Sequence, residues 1–340
     1  MKSAAAVAVG ACVVVAGLYG CVGDDPAPAS ADAATEAASP LPDSAAPPAD
    51  AAAPDARVPD AAAPDTAAPD AATPDARVPT CAGQPFGTPV AVNTSQIAAA
   101  LASTMWGPRV AGGNAYFAAV PAGSSEQQLF RATFTGGGVP ALSNAVALTP
   151  PSSPTIVEWA PTATPDGLML VFATGFPGPR QLSVAMGTGG AFTAGTPITS
   201  LNTAADETDP FLANARALYF AREDTTGTPT FEIYRSEVTA GVFAAPAKVK
   251  LLCPLKNCGT PVVTPTEHML LFAAWPGGGG FVPTTREADL VGTTAGAVID
   301  HPELGARYPS WVSPDGCEVL LGGGGVSTVA DIQYAKRTAK

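Results

Sequence analysis

APTATPDGLMLVFAT, residues 160–174, and YPSWVSPDGCEVLLG, residues 308–322, are two copies of one phrase: a Pro-led strand, a Pro-Asp-Gly turn and an apolar strand. Three looser copies read GPRVAGGNAYFAAV from Gly107, DPFLANARALYFARE from Asp209 and TPVVTPTEHMLLFAAW from Thr260. Their leading prolines, Pro108, Pro161, Pro210, Pro261 and Pro309, recur at intervals of about 50 residues. A fixed period of this size marks units that cannot bury both faces alone and must pack on their neighbours.

Each unit divides into four strands. Pro and Gly in the turn after the first strand, a, serve turn geometry. The second strand, b, is apolar on both faces in LMLVFAT and MLLFAA, so both of its sides must be covered. Strand c follows a polar or Gly-rich loop in QQLFRATF, RQLSVAMG, FEIYRSEV, ADLVGTTA and ADIQYAKR, with Leu129, Leu182, Ile233, Leu290 and Ile332 in matching places. Strand d is the least regular, visible in FTAGTPITSLN from Phe192 and FAAPAKVKLL from Phe243. The fifth unit lacks a strand d, and FGTPVAVN, Phe86 to Asn93, reads as the missing one. A blade completed by the opposite end of the domain closes a ring and hides its edges. The expected fold is therefore all-β: a five-bladed β-propeller of four-stranded blades, closed by the N-terminal strand, with no sixth unit discernible.

ATPDGLMLVFAT and VSPDGCEVLLG, with DIQYAKR as strand c, resemble the TolB-like (WD40-like) propeller repeat over Phe86 to Lys340. The first, third and fourth units depart from it, carrying AGGN, ANARA and TPTE where the Asp-Gly turn belongs. The resemblance implies extracytoplasmic binding or scaffolding and does not imply catalysis.

The chain has three unlike parts. Residues 1–20 carry Lys2, an apolar stretch from Ala4 to Leu18 and the ending LYGC, a secretory signal pattern too short for a stable membrane span. Leu-x-Gly-Cys resembles the bacterial lipoprotein box, which implies lipidation at Cys21 after a signal peptide of residues 1–20; Tyr19 is bulkier than that box prefers. Residues 21–80 form a linker in which Asp50, Asp55, Asp60, Asp65, Asp70 and Asp75 keep a five-residue register with prolines on the same spacing. Proline breaks helix and sheet ladders and the acids repel, so a disordered stalk is expected. Eleven acids and two arginines there account for −9 of the net −12, leaving residues 81–340 nearly balanced. That balance gives no basis for nucleic-acid binding or for a polybasic membrane contact, so the membrane is reached through the lipid only.

Cys81, Cys253, Cys258 and Cys317 lie in the 81–340 domain, an even count that in an exported chain suggests disulfides. Cys253 and Cys258 close the short loop CPLKNC. For Cys81 and Cys317, a bridge fastening the ring and a small buried apolar Cys317 are equal alternatives. No metal, cofactor or catalytic set is expected: there is no GxSxG, HExxH or GxxxxGK[ST] motif, and His268 and His301 read as surface residues. The glycine runs from Gly277 and Gly322 read as loops between strands b and c. Asp166 and Asp315 are explained by turn geometry.

Residues entering strand a carry more weight, because in a propeller that strand lines the central channel. They are Trp106, Glu158, Trp159, Glu207, Asp209, Arg307 and Tyr308, aromatic and charged groups able to build a sugar or peptide site. The expected function is a monomeric, non-enzymatic envelope lipoprotein, lipid-anchored and extracytoplasmic, on the periplasmic side or at the cell surface. Its propeller binds proteins, peptides or glycans. The alternative is a glycoside hydrolase, a class with five-bladed members, using Glu158, Glu207 and Asp209 at the funnel.

Overall fold

The computed structural model describes residues 81–98, 101–103, 107–124, 126–152, 157–175, 178–188, 191–226, 230–277, 282–323 and 331–337. The proposed signal peptide, Cys21, the linker, Trp106 and parts of both glycine runs (278–280 and 324–325) lie outside these residues. Within them the fold is a five-bladed β-propeller built of five antiparallel sheets.

The inner strands follow the repeat. They are Leu101–Ser103 with Arg109–Ala111 in blade 1, Glu158–Ala163 in blade 2, Glu207–Asn214 in blade 3, Asn257–Val263 in blade 4 and Arg307–Val312 in blade 5. Each packs against its neighbours around the ring, blade 5 meeting blade 1. Strand b is largely buried in every blade, with Phe117, Phe172, Phe220, Phe272 and Leu321 at or near zero exposure. These side chains fill the inter-blade cores, which is why both faces of strand b are apolar.

Strand c shows one departure from expectation. Leu129, Leu182 and Ile233 pair with Ala118, Ala173 and Ala221 of strand b, but in blade 4 the equivalent Ala273 pairs with Thr285, not Leu290. Strand c of blade 4 begins at Thr284, so Leu290 lies further along the same strand, still in the core. Thr285 takes the apolar slot because its hydroxyl donates to the Arg307 carbonyl at 2.8 Å, joining blades 4 and 5.

A second difference concerns the prolines. In blades 2 to 5 strand a begins before the Pro, and the Pro sits at a β-bulge: pairing skips between Trp159 and Thr162, Thr208 and Phe211, Gly259 and Val262, and Pro309 and Trp311. Proline has no N–H to give to a ladder, so a bulge is where a strand tolerates it. In blades 2, 3 and 4 the residue before it is left-handed: Ala160 at φ 45°, Asp209 at 52° and Thr260 at 44°. For non-glycine residues that conformation costs of order 1–3 kcal/mol each and needs support from the surroundings.

The ring closes between the two ends of the domain, as the repeat pattern predicts. Val90–Ala91 pairs antiparallel with Gln333–Lys336, and Phe86 bridges Arg337. Cys81 and Cys317 form a disulfide with Cα atoms 5.0 Å apart, and Cys253 bonds Cys258. Beside the first bridge lies a buried charge network. Arg337, 2% exposed, donates to the Cys81 carbonyl and to Glu287, and its guanidinium stacks on Phe86 at 4.0 Å. Glu287, 1% exposed, also accepts the Gly83 N–H at 2.7 Å and meets His301 Nε2 at 2.8 Å. His301 Nδ1 meets Glu303 at 2.9 Å, and Glu303 accepts the Phe86 N–H at 2.9 Å. His301 is thus a buried latch residue, contrary to the surface reading. Its partner Glu287 comes from a different strand, which one sequence does not juxtapose. His268 sits half-buried in its turn.

The closure carries two stability predictions. The Cys81–Cys317 bridge spans 236 residues and Cys253–Cys258 spans 5, so the chain-entropy model gives about 5 and about 2 kcal/mol respectively. Replacing the first pair by alanine is expected to lower the urea midpoint about two and a half times as far as replacing the second; equal losses would refute the closure role. For Glu287, burial pushes the carboxyl up, but the hydrogen bonds from His301 and Arg337 outweigh it and hold it below its ordinary value. That contribution is present above the ordinary carboxylate range and is lost as pH falls through the lowered pKa. Arg337→Met strands this carboxylate and is expected to cost about 3–5 kcal/mol at neutral pH. Adding Glu287→Gln is expected to recover part of the loss, measured by denaturant titration.

Candidate functional site

The bulges determine what meets at the axis. In blades 2, 3 and 4 the bulge takes in the residue before the proline, Ala160, Asp209 and Thr260; the corresponding residues are Gly107 in blade 1 and Tyr308 in blade 5, where Tyr308 stays paired with Gly322 and Ser310 is the one skipped. The residues that follow the prolines include Arg109, Phe211 and Ser310. Two of the sequence candidates, Asp209 and Tyr308, come together here with Arg109, which was not among them.

Arg109 is 4% exposed and reaches across the ring from blade 1 to blade 3. One guanidinium nitrogen donates to the Pro210 carbonyl, and the group lies over the Phe211 ring at 5.4 Å. Burial pushes its pKa down to about 10, against the opposing effects of Asp209 and Tyr308. Its Nε has no hydrogen-bond partner among the described residues. Tyr308, 5% exposed, accepts the Gly107 N–H at 3.2 Å, and its hydroxyl is pushed up chiefly by burial. Glycine is required at 322 because any Cβ there would overlap the Tyr308 ring.

Asp209 is the unusual member. It is partly open to the channel, left-handed, and makes no hydrogen bond or close ion pair with a described residue. Burial pushes its carboxyl above the ordinary range, and the charges of Arg109 and Arg180 offset part of that shift. Arg180 itself is engaged elsewhere, donating to Asp206 at 2.6 Å. Two hydroxyls complete the set: Thr260 Oγ1 and Ser310 Oγ, on residues 6% and 2% exposed, have no hydrogen-bond partner among the described residues. Ser310 lies against Gly107, where a Cβ would collide with it. Buried polar atoms are normally satisfied, so these three atoms on the inner strands stand out among the described residues.

At the face carrying the a–b turns, the channel opens into an apolar cavity of about 270 Å³ lined by Val110, Pro165, Phe211, Pro265, Trp311 and Pro314. All five blades contribute to it. The Arg109 guanidinium rests on Phe211 of this wall, which links the polar level to the apolar mouth.

The remaining candidates lie elsewhere. Glu207 is fully buried inside blade 3, accepting Arg222 Nε at 2.9 Å, the Thr203 hydroxyl at 2.6 Å and the Thr203 N–H at 3.1 Å. Glu158 is 1% exposed, and its carbonyl takes Gln127 Nε2 at 2.9 Å. Trp159 packs on the core between blades 2 and 3. Arg307 turns back to the Leu304 carbonyl at 3.2 Å. Asp166 and Asp315 accept from their own turns, as geometry alone predicts. A signal for Arg109 is present in the repeats: it directly follows Pro108, where the other units carry Thr162, Phe211, Val262 and Ser310, none of them charged.

No family model and no curated protein matches this sequence. Solved structures with which the chain aligns include TolB from Acinetobacter baumannii, at 12% identity and TM-score 0.43, covering 70% of this chain and 55% of that one. They also include a putative TolB from Agrobacterium tumefaciens, at 14% and 0.41, covering 67% and 71%. A thermostable family-43 glycoside hydrolase aligns at 11% and 0.46, covering 69% and 88%. The chain spans about half the length of the Acinetobacter protein, and likeness at this level does not extend to a ligand or an activity.

Proposed function

We propose that this chain is a non-enzymatic binding or scaffold module of the cell envelope, tethered through a lipid on Cys21 and gripping its partner along the propeller axis. Two disulfides support an extracytoplasmic setting, because such bonds persist in oxidising compartments. The observation that carries the reading is Asp209: a carboxyl held in a strained conformation at the hub, with no hydrogen bond or close ion pair among the described residues. Strain and a desolvated carboxyl together are typical of sites kept for function. Envelope proteins, peptides and glycans are the partner classes in view.

The glycoside hydrolase alternative requires two carboxyl groups flanking one bond. Glu207 is a poor second group, because both of its oxygens are engaged by Arg222 and Thr203. That leaves Asp209 with Glu158 from the next blade. Hydrolysis of aryl glycosides by the full chain, abolished in Asp209→Asn, would establish this alternative over the binding reading.

Asp209 has its own pH signature. Its raised pKa means that it favours folding below the ordinary carboxylate range and that this advantage is lost as pH rises through the shifted value. Asp209→Asn is therefore expected to raise the melting temperature at pH 7–8, by about 2–4 °C for each kcal/mol recovered, with the gain vanishing in acid. The same variant is expected to lose the partners cross-linked to the wild-type chain in producing cells, while Asp166→Asn keeps them. A destabilised Asp209→Asn that retains every partner would make Asp209 a structural anchor and remove the axial reading.

A further inference from the structure

Away from the axis, a groove of about 590 Å³ runs between blades 2 and 3 on the face of the a–b turns. Met169 and Val238 in its lining are buried, whereas Leu168 and Met186 remain 52% and 46% exposed. Met186 reaches toward the blade 3 hairpin, its methyl 3.7 Å from where a side chain at Gly241 would begin. Val242, 70% exposed, follows directly on that glycine. Large apolar side chains left in water around one groove mark a contact surface, and methionine and arginine are enriched in such surfaces. Two charged residues line the groove, Asp166 and Arg216. Asp166 is engaged by its own turn: Oδ1 accepts the Thr164 hydroxyl at 2.6 Å and the Leu168 N–H at 3.0 Å, which holds the carboxyl below its ordinary range. The Arg216 guanidinium makes no hydrogen bond or ion pair with a described residue; only the backbone N–H is used, donating to Asn214 at 2.7 Å. The groove is thus an apolar bed with an available cation beside it, and the charge that answers a guanidinium is a carboxylate.

We propose that this groove docks an extended segment of a partner protein in which large apolar residues are followed by an acidic side chain. The apolar residues lie against Leu168, Met169, Met186 and Val238, and the carboxylate meets Arg216. Asp166, Leu168, Arg216, Thr239 and Ala240 are all exposed at or beside turn tips, so a chain can cross the groove without ending in it. Backbone N–H groups of such a segment have an acceptor in Asp166, whose Oδ2 its own turn leaves unused. Methionine suits a surface of this kind, because its flexible thioether adapts to the side chains laid on it. The groove is separate from the axial site and does not depend on Asp209.

Fluorescence polarisation with the full chain tests it, using a labelled hexapeptide amide that carries two leucines and then a glutamate in an alanine background. This probe is expected to bind. Glutamine in place of its glutamate is expected to weaken it about three- to fivefold, the size of an exposed ion pair. Alanine in place of both leucines is expected to weaken it about tenfold or more. Arg216→Glu is expected to reverse the charge preference, so that a lysine version of the probe binds better than the glutamate one; a merely structural arginine would not produce that exchange. Leu168→Ala is expected to weaken both versions alike. The glutamine peptide with a free C-terminal carboxylate reports on chain ends, and tighter binding of it than of the glutamate amide overturns the proposal in favour of a terminus. An unchanged preference in Arg216→Glu, or no binding of the glutamate probe at millimolar concentration, also overturns it. So does a wild-type dimer in sedimentation that Arg216→Glu dissociates, which assigns the groove to a second copy of the chain. Any of these failures, with partner capture still dependent on Asp209, leaves the axial reading standing.

Discussion

The structure depends on closing a ring with two segments that are far apart in the chain. Four blades are each one continuous stretch, but the fifth takes Val90–Ala91 from one end and Gln333–Lys336 from the other. A two-residue pairing is too short to hold a propeller shut by itself. The closure is therefore reinforced at the same place by a covalent bond, Cys81–Cys317, and by the charge network of Arg337, Glu287, His301 and Glu303. Those charges are fixed from both ends: Glu287 takes the Gly83 N–H as well as Arg337, and Glu303 takes the Phe86 N–H. Buried ion pairs add little net stability compared with apolar packing, but they make misregistration expensive. That suits a joint whose error would be a slipped strand.

At the hub the constraint is different. A period of two would place Glu207 and Asp209 on the same face of their strand. The bulge between Thr208 and Phe211, with Asp209 left-handed, breaks that alternation. Glu207 is turned into the blade, where Arg222 and Thr203 absorb its charge, and Asp209 is turned to the axis. The same device in blades 2 and 4 turns Ala160 and Thr260. The repeated proline is thus more than a strand marker: it sits at the point where each of these inner strands changes the side on which its residues appear.

The fold was legible because its signal is redundant. Five copies of one phrase fix the blade count, and the absence of strand d in the fifth unit, matched by FGTPVAVN, identifies the closure. What misled was local: in blade 4 an apolar Leu290 drew the alignment away from Thr285, whose hydroxyl serves a neighbouring blade. The site was less legible. Asp209 and Tyr308 stood out as polar residues entering an inner strand, but so did Glu158, Glu207 and Arg307, and only the bulge geometry separates them. His301 was hidden because its contacts with Glu287 and Glu303 are set by tertiary packing.

The latch and the hub bear on one another. Left-handed residues before proline, a desolvated guanidinium and an unpaired carboxylate all raise the energy of the native state at its centre. An open array could relieve them by letting the inner strands separate, since each blade would then settle its own bulge. A closed ring cannot, because moving one inner strand outward displaces both neighbours and is resisted at the joint. The covalent and ionic closure of the fifth blade therefore does more than protect sheet edges. It holds the axial groups in an arrangement they would not choose individually, which is the physical condition for a preorganised site.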